Sequence, residues 1–279
     1  MKTLYLECGM GAAGDMLMAA LSELTDSDAF VEKMNSLGIP GVRVTRENAV
    51  TCGIYGTHMR VTIDGEEEKT EDVRLASASQ EETLVIDDHD HEHEHHHDHD
   101  HEHEHHHHHT SMADIRTIVA ALPVSEKVRQ DVLAVYQLIA EAESHAHHCT
   151  VEEIHFHEVG NMDAVADITG VCLLMEMIGA DEVLCSPVHV GSGHVRCAHG
   201  ILPVPAPATA YLLRGIPSYS GSIDGELCTP TGAALLRHFV TRFVPMPVMA
   251  TEKIGYGIGT KVFPAPNCVR AFLGETENA

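Results

Sequence analysis

Hydrophobic positions along the chain alternate between a period of two and a period near 3.6, the pattern of short strands interleaved with helices. Residues 3–7 read as a first strand, and Leu17, Ala20, Leu21 and Leu24 then share one helical face. A second helix is predicted over 28–38, stopped by Leu37-Gly38-Ile39-Pro40. Strands at 42–45 and 57–63 follow, joined through Cys52-Gly53-Ile54-Tyr55-Gly56, and this helix–strand–strand unit is expected to lie against the first strand. From Ser111 a helix carries Ile115, Ile118, Val119 and Leu122 to Pro123. Ser125 caps the next, which runs through Val128, Val132, Val135, Leu138, Ile139 and Ala142 into a small histidine group at 143–148. Residues 151–157 alternate, with His155 and His157 on one side and Phe156 on the other. Gly160-Asn161 breaks that segment, and Asp163 can cap a helix reaching Ile178. Strands at 182–186 and 269–273, a Gly-rich hairpin at 189–200, a short helix through Tyr211 and Leu213, and a strand-to-helix turn at 226–235 complete the prediction. No internal repeat is evident. The fold class is α/β, a mixed sheet with helices.

Composition divides this pattern in two. The chain has 279 residues and a formal charge of −25, of which residues 66–109 carry sixteen acids against two bases. Within that span, 89–109 are fourteen histidines and seven acids and nothing else. No core can form from such a segment, so disorder without metal is expected there. The expected organisation is an N-terminal α/β part (1–65), an acidic, His-rich metal-binding linker (66–110) and a main α/β part (111–279). The acidic field repels nucleic-acid backbones and attracts cations, which argues against DNA or RNA as partners. No leader follows Met1 and no apolar run is long enough for a bilayer, so a cytoplasmic location without membrane attachment is expected. Eight scattered cysteines without a CxxC pair make a structural zinc knot or disulfides improbable. Whether the chain forms a homo-oligomer is left open.

The chemistry concentrates at six places. His155, His157, Asp163 and Asp167 converge on one strand–turn–helix corner, and two imidazoles with carboxylates four residues apart suit a divalent first-row metal. The plainer alternative is a capping Asp163 beside hydrogen-bonded histidines. Gly9, Gly11 and Gly14 form a Gly-rich strand-to-helix turn ending in Asp15, able to offer backbone N–H groups to an anion. Their spacing fits the dinucleotide fingerprint, but no Walker lysine follows, and a tight turn with an acid near the helix dipole reads equally well. Arg196, Cys197 and His199 share a Gly-rich hairpin where the guanidinium can fork onto a phosphate or carboxylate and the other two can ligate a soft metal or merely pack. Thr229, Thr231 and Gly232 make a second anion cradle, with simple capping as its alternative. The glycines of 252–261 permit close approach to a flat ligand. The linker histidines, among them His95, His97, His99, His101, His105 and His107, mix imidazole with carboxylate in a way that suits nickel, copper or zinc, as a metal store or as a tolerated linker that binds metal only because histidine does.

Taken together, residues 7–16, 155–170, 191–209, 226–236 and 254–260 resemble the LarC family, the nickel insertion proteins of nickel-pincer nucleotide biosynthesis. The resemblance implies a CTP-dependent cyclometallase of the lyase class. Its substrates would be Ni²⁺ and pyridinium-3,5-bisthiocarboxylic acid mononucleotide, and its product the cofactor of lactate racemase and related enzymes. It also implies a further C-terminal domain, to which CTP and its Mn²⁺ or Mg²⁺ are attributed and which this chain lacks. Bond formation between nickel and a ring carbon displaces a proton, so His157, Glu158 and His199 are candidate bases. Two other functions compete. One is nickel storage and delivery without catalysis. The other is a metal-dependent hydrolase, which gains nothing from the absence of GxSxG and HExxH motifs.

Overall fold

A computed structural model describes residues 1–67, 71–73, 110–156, 159–197 and 200–277. β1 (Lys2–Glu7) leads into α1 (Gly14–Ser22) and α2 (Ser27–Ser36), followed by a hairpin of β2 (Val42–Thr51) and β3 (Ile54–Ile63). β4 (Glu71–Val73) and β5 (Thr110–Ser111) precede α3 (Met112–Ala121) and α4 (Glu126–His147). A 3-10 turn (Val151–Glu153), β6 (His155–Phe156) and α5 (Met162–Ile178) come next. β7 (Glu182–Cys185), β8 (Val188–His189), β9 (Gly191–Ser192), β10 (His194–Cys197) and β11 (Gly200–Pro203) run up to α6 (Pro207–Leu212). β12 (Ser218–Tyr219), β13 (Gly225–Glu226), α7 (Pro230–Phe239), β14 (Arg242–Phe243), β15 (Met249–Ile258) and β16 (Cys268–Thr276) close the chain. No described helix is long and apolar enough to cross a membrane.

The α/β class expected from the sequence is the one observed. Seven strands form a mixed sheet in the order β14-β7-β1-β16-β15-β3-β2. β1 lies inside it, parallel to β7 and antiparallel to β16, so strands from both sides of the 66–110 segment share one sheet. The expectation that β2 and β3 flank the first strand is corrected here, because β16 and β15 stand between them. Both hairpin strands are also longer than predicted and meet at a tight turn, with Cys52 (φ 47°) and Gly53 (φ 81°) in the left-handed region. Residues 46–51 are mostly exposed, so the hairpin tip leaves no apolar alternation for a sequence reading to detect.

One face of the sheet carries the core. α1 packs on β3, β15 and β16 and against α5, and α4 covers α5, α6 and α7. From Ala164 to Leu174 every residue of α5 is buried, since neighbours surround it, and apart from Asp167 and Thr169 the stretch is apolar on all sides. The opposite sheet face holds a small cluster of Tyr5, Leu184 and Phe272. Residues 151–153, expected to be extended, instead coil into the 3-10 turn. Thr150 explains this, donating through both its N–H and its hydroxyl to the Glu153 carboxylate at 3.0 Å. Those bonds also hold the Glu153 carboxyl below its ordinary range.

Candidate functional site

The Gly-rich turn after β1 and the turn before α7 are pressed backbone to backbone. The Ala12 N–H donates to the Leu227 carbonyl at 3.0 Å, and the Thr229 N–H returns a bond to Ala12 at 3.1 Å. Gly11 has φ 76°, and a side chain there would drive into the Leu227 carbonyl. Gly232 does the same work from the other turn, where a Cβ would come within 3.0 Å of the Ala13 nitrogen. Gly14 in turn allows α1 to start against α5, since a Cβ would fall 2.7 Å from the Asp167 Cβ. As a result α1, α5 and α7 all begin around one cleft of about 190 Å³. Gly14 and Asp15 line it from α1, Asp163, Ala164 and Asp167 from α5, and Thr229, Pro230 and Thr231 from α7. His58, Glu67, Glu226, Lys261 and Asn267 complete its polar wall.

Three helix N-termini bring partial positive charge to one place, which favours an anion. The carboxylates set against them favour a cation beside it. Burial holds the Asp15 carboxyl above the ordinary range, while the nearby His58 ring pulls it down and Glu67 adds to the rise. The His58 Nδ1 lies 3.0 Å from the Ile258 carbonyl, and its Nε2 lies 3.5 Å from the Glu67 carboxylate, whose other oxygen is 3.1 Å from the Arg60 Nε. Behind the cleft Tyr136 is fully buried against Phe156, ring centroids 5.8 Å apart, and burial with Asp167 and Asp163 nearby pushes its phenol well up. A second cleft of about 200 Å³ adjoins the first through Val159, Glu226 and Pro230. Its walls are largely apolar, with Arg196, Cys197, Glu143 and His147 at the polar side. Among the described residues, no three His, Cys, Asp or Glu side chains are grouped closely enough to hold a metal ion by themselves.

Comparison with known proteins bears on what such a pair of clefts serves. The sequence model of one family, described as nickel insertion protein, matches residues 4–279. The chain belongs to that family. It is 40% identical over 280 residues to the pyridinium-3,5-bisthiocarboxylic acid mononucleotide nickel insertion protein of Clostridium acetobutylicum, covering 100% of this chain and 65% of that one. The protein of the same description from Clostridium kluyveri is 37% identical over 281 residues, covering 100% and 63%. That from Desulfitobacterium hafniense is 33% identical over 277 residues, covering 99% and 59%. The chain thus spans about three fifths of the length of these curated relatives. No solved structure matches it.

In this nickel insertion family member the residues singled out from sequence are distributed as follows. Gly14, Asp15, Thr229, Thr231, Asp163 and Asp167 line the first cleft. Gly232 sits just behind it, donating its N–H to the Thr229 hydroxyl at 3.2 Å. Gly11 is buried in the turn contact, and Gly9 is exposed with its carbonyl accepting from the His189 Nδ1 at 2.9 Å. Arg196 lies on the second cleft. His155 stands in β6, paired with Ser111. His157, Glu158 and His199 lie outside the described residues, as do His95, His97, His99, His101, His105 and His107. Asp163 is not the cap of α5: Asn161 holds the N-cap position, and Asp163 falls in the first turn with its carboxylate toward the cleft. Of the glycines of 252–261, Gly255 and Gly257 serve the fold, since side chains there would strike the α1 backbone at Ala20 and Met16, while Gly259 lines the first cleft. Sequence reading missed His58 and Lys261. Neither sits in a motif, and only the adjacency of β3 to β15 brings His58 to the cleft.

Proposed function

We propose that this chain binds nickel and pyridinium-3,5-bisthiocarboxylic acid mononucleotide together and inserts the metal into the nucleotide. It acts as a cyclometallase of the lyase class, and its product is the nickel-pincer cofactor of lactate racemase or a related apo-enzyme. CTP and Mn²⁺ or Mg²⁺ enter through a further C-terminal portion, in the cytoplasm. The observation that carries this reading is the meeting of three helix N-termini with Asp163 and Asp167 at one cleft. The N-termini, with Thr229 and Thr231, suit the nucleotide phosphate. Asp163 and Asp167 suit the incoming nickel, with His155 and His157 proposed as its further ligands. The apolar second cleft with Arg196 suits the pyridinium ring and a thiocarboxylate. Two soft sulfurs on the substrate supply most of the ligands nickel finally needs, so a weak, incomplete protein site is consistent with transfer rather than storage.

The test is native mass spectrometry of the chain with nickel and the mononucleotide, with and without CTP and Mn²⁺. Wild type should retain nucleotide and nickel in one complex. Asp163→Asn combined with Asp167→Asn should retain the nucleotide and lose nickel occupancy by about 10-fold or more at limiting nickel. A wild-type chain that retains no nucleotide refutes the reading, and undiminished nickel in the double variant removes both carboxylates from it.

A further inference from the structure

We propose that His58 is the base that receives the ring proton when nickel bonds to the mononucleotide, an inference that rests on the function proposed above. The substrate's own chemistry states the need. Thiocarboxylates on ring carbons 3 and 5 flank carbon 4, and a nickel ion gripped by one sulfur of each lies in the ring plane against the C4–H bond. That bond breaks, its electron pair becomes the nickel–carbon bond, and the proton must leave to an acceptor. Nickel remains divalent throughout, so no oxidant or reductant enters.

His58 is built for that task. It is the imidazole among the described residues that lines the first cleft, which the starts of three helices also line. A carbonyl oxygen only accepts, so the 3.0 Å bond to Ile258 requires the proton on Nδ1. In the neutral ring the basic lone pair therefore sits on Nε2. The side chain is only 13% exposed, which fixes its direction. Glu67, 3.5 Å from Nε2 and tethered to Arg60 at 3.1 Å, stands ready to stabilise the positive charge that the ring acquires with the proton. The Ile258 carbonyl thus orients the ring through Nδ1, the non-reacting nitrogen, and leaves Nε2 as the basic one, with the Glu67 carboxylate 3.5 Å away to favour its protonated form.

His58→Asn tests this directly, because the asparagine amide can still donate to Ile258 but offers no basic nitrogen in place of Nε2. Nickel and mononucleotide binding should stay within about 2-fold of wild type, and the single-turnover rate of nickel insertion should fall about 100-fold or more. In His58→Ala, added imidazole should restore at least about 10-fold of the lost rate, a rescue that a purely structural role would not allow. Insertion by His58→Asn at the wild-type rate overturns the proposal. So does loss of nickel binding in that variant with a normal rate at saturating metal, which would make His58 a nickel ligand instead. Both outcomes presuppose an active wild type. All rates are read with CTP, Mn²⁺ and the C-terminal portion of a longer relative supplied: a wild type that then inserts no nickel refutes the proposed function, whereas an active wild type matched by His58→Asn refutes this inference alone.

Discussion

Asp15 begins a helix at the cleft, where burial raises its carboxyl above the usual range and His58 only partly offsets the rise. The folded protein therefore keeps a proton on Asp15 to higher pH than the unfolded chain does. Its contribution to stability is complete in acid, below the unfolded carboxylate range near pH 4, and is lost as pH rises through the raised folded value. Asp15→Asn should accordingly melt close to wild type at about pH 4 and gain on it steadily toward about pH 7, because the amide never carries the buried charge. Thermal melts of the two proteins across that range check this, and a difference that does not change with pH would count against it. The residue scale also shows what a sequence can and cannot disclose. Asp163 and Asp167 are four apart, and helical geometry alone places both on the cleft side of α5. Gly14 looks like any turn glycine until Asp167, distant in sequence, is seen to occupy the space of its Cβ. His58 carries no local signature, because its meaning depends on the carbonyl of Ile258, 200 residues away.

Among the elements, α4 packs along α5, and one serine at the start of α4 bonds the two helices. The Ser125 hydroxyl accepts from the Val128 N–H at 3.1 Å, capping α4, and donates to Glu176 of α5 at 2.6 Å. Ser125→Ala removes both bonds. The cap alone is worth about 1 kcal/mol and the charged acceptor adds to it, so a loss of about 1–2 kcal/mol is expected in urea unfolding. Ser125→Asn retains a capping acceptor and should recover most of the cap's share; a loss in Ser125→Ala below about 0.3 kcal/mol would show that the helix is held elsewhere. Helices such as α3 and α4 were legible because their caps and apolar faces are local, down to Ser111 answering Asp114 at the start of α3. The sheet was not. Its order joins β1 to β16 and β3 to β15, and nothing in an alternating pattern states which strand lies beside which. The hairpin tip and the 3-10 turn escaped for a related reason: neither buries a periodic apolar face.

At the scale of the whole molecule, one sheet draws strands from both sides of the acidic segment, so the ordered body does not depend on that segment for its core. The tract at 89–109 lies outside the described residues, but its composition alone fixes what its removal can do. It contains only histidine and acids, so deleting it takes no apolar surface from the fold, and the melting temperature without nickel should move by no more than about 2 °C. Nickel binding should respond in the opposite way. If the tract stores nickel through neutral imidazoles, the deletion variant should bind far fewer ions per chain than wild type, leaving what the cleft alone can hold. The wild-type excess should itself drain away between about pH 7 and 5, because imidazoles protonate near pH 6.5 and a protonated ring cannot ligate. Equilibrium dialysis with nickel across that pH range, on both proteins, separates the contributions. Insertion at saturating nickel should survive the deletion while insertion at limiting nickel falls, since a store matters only when metal is scarce. A deletion variant that binds as much nickel as wild type, or a wild-type stoichiometry that stays level from pH 7 to 5, would leave the histidines without a storage role and place the chain's nickel on carboxylates instead.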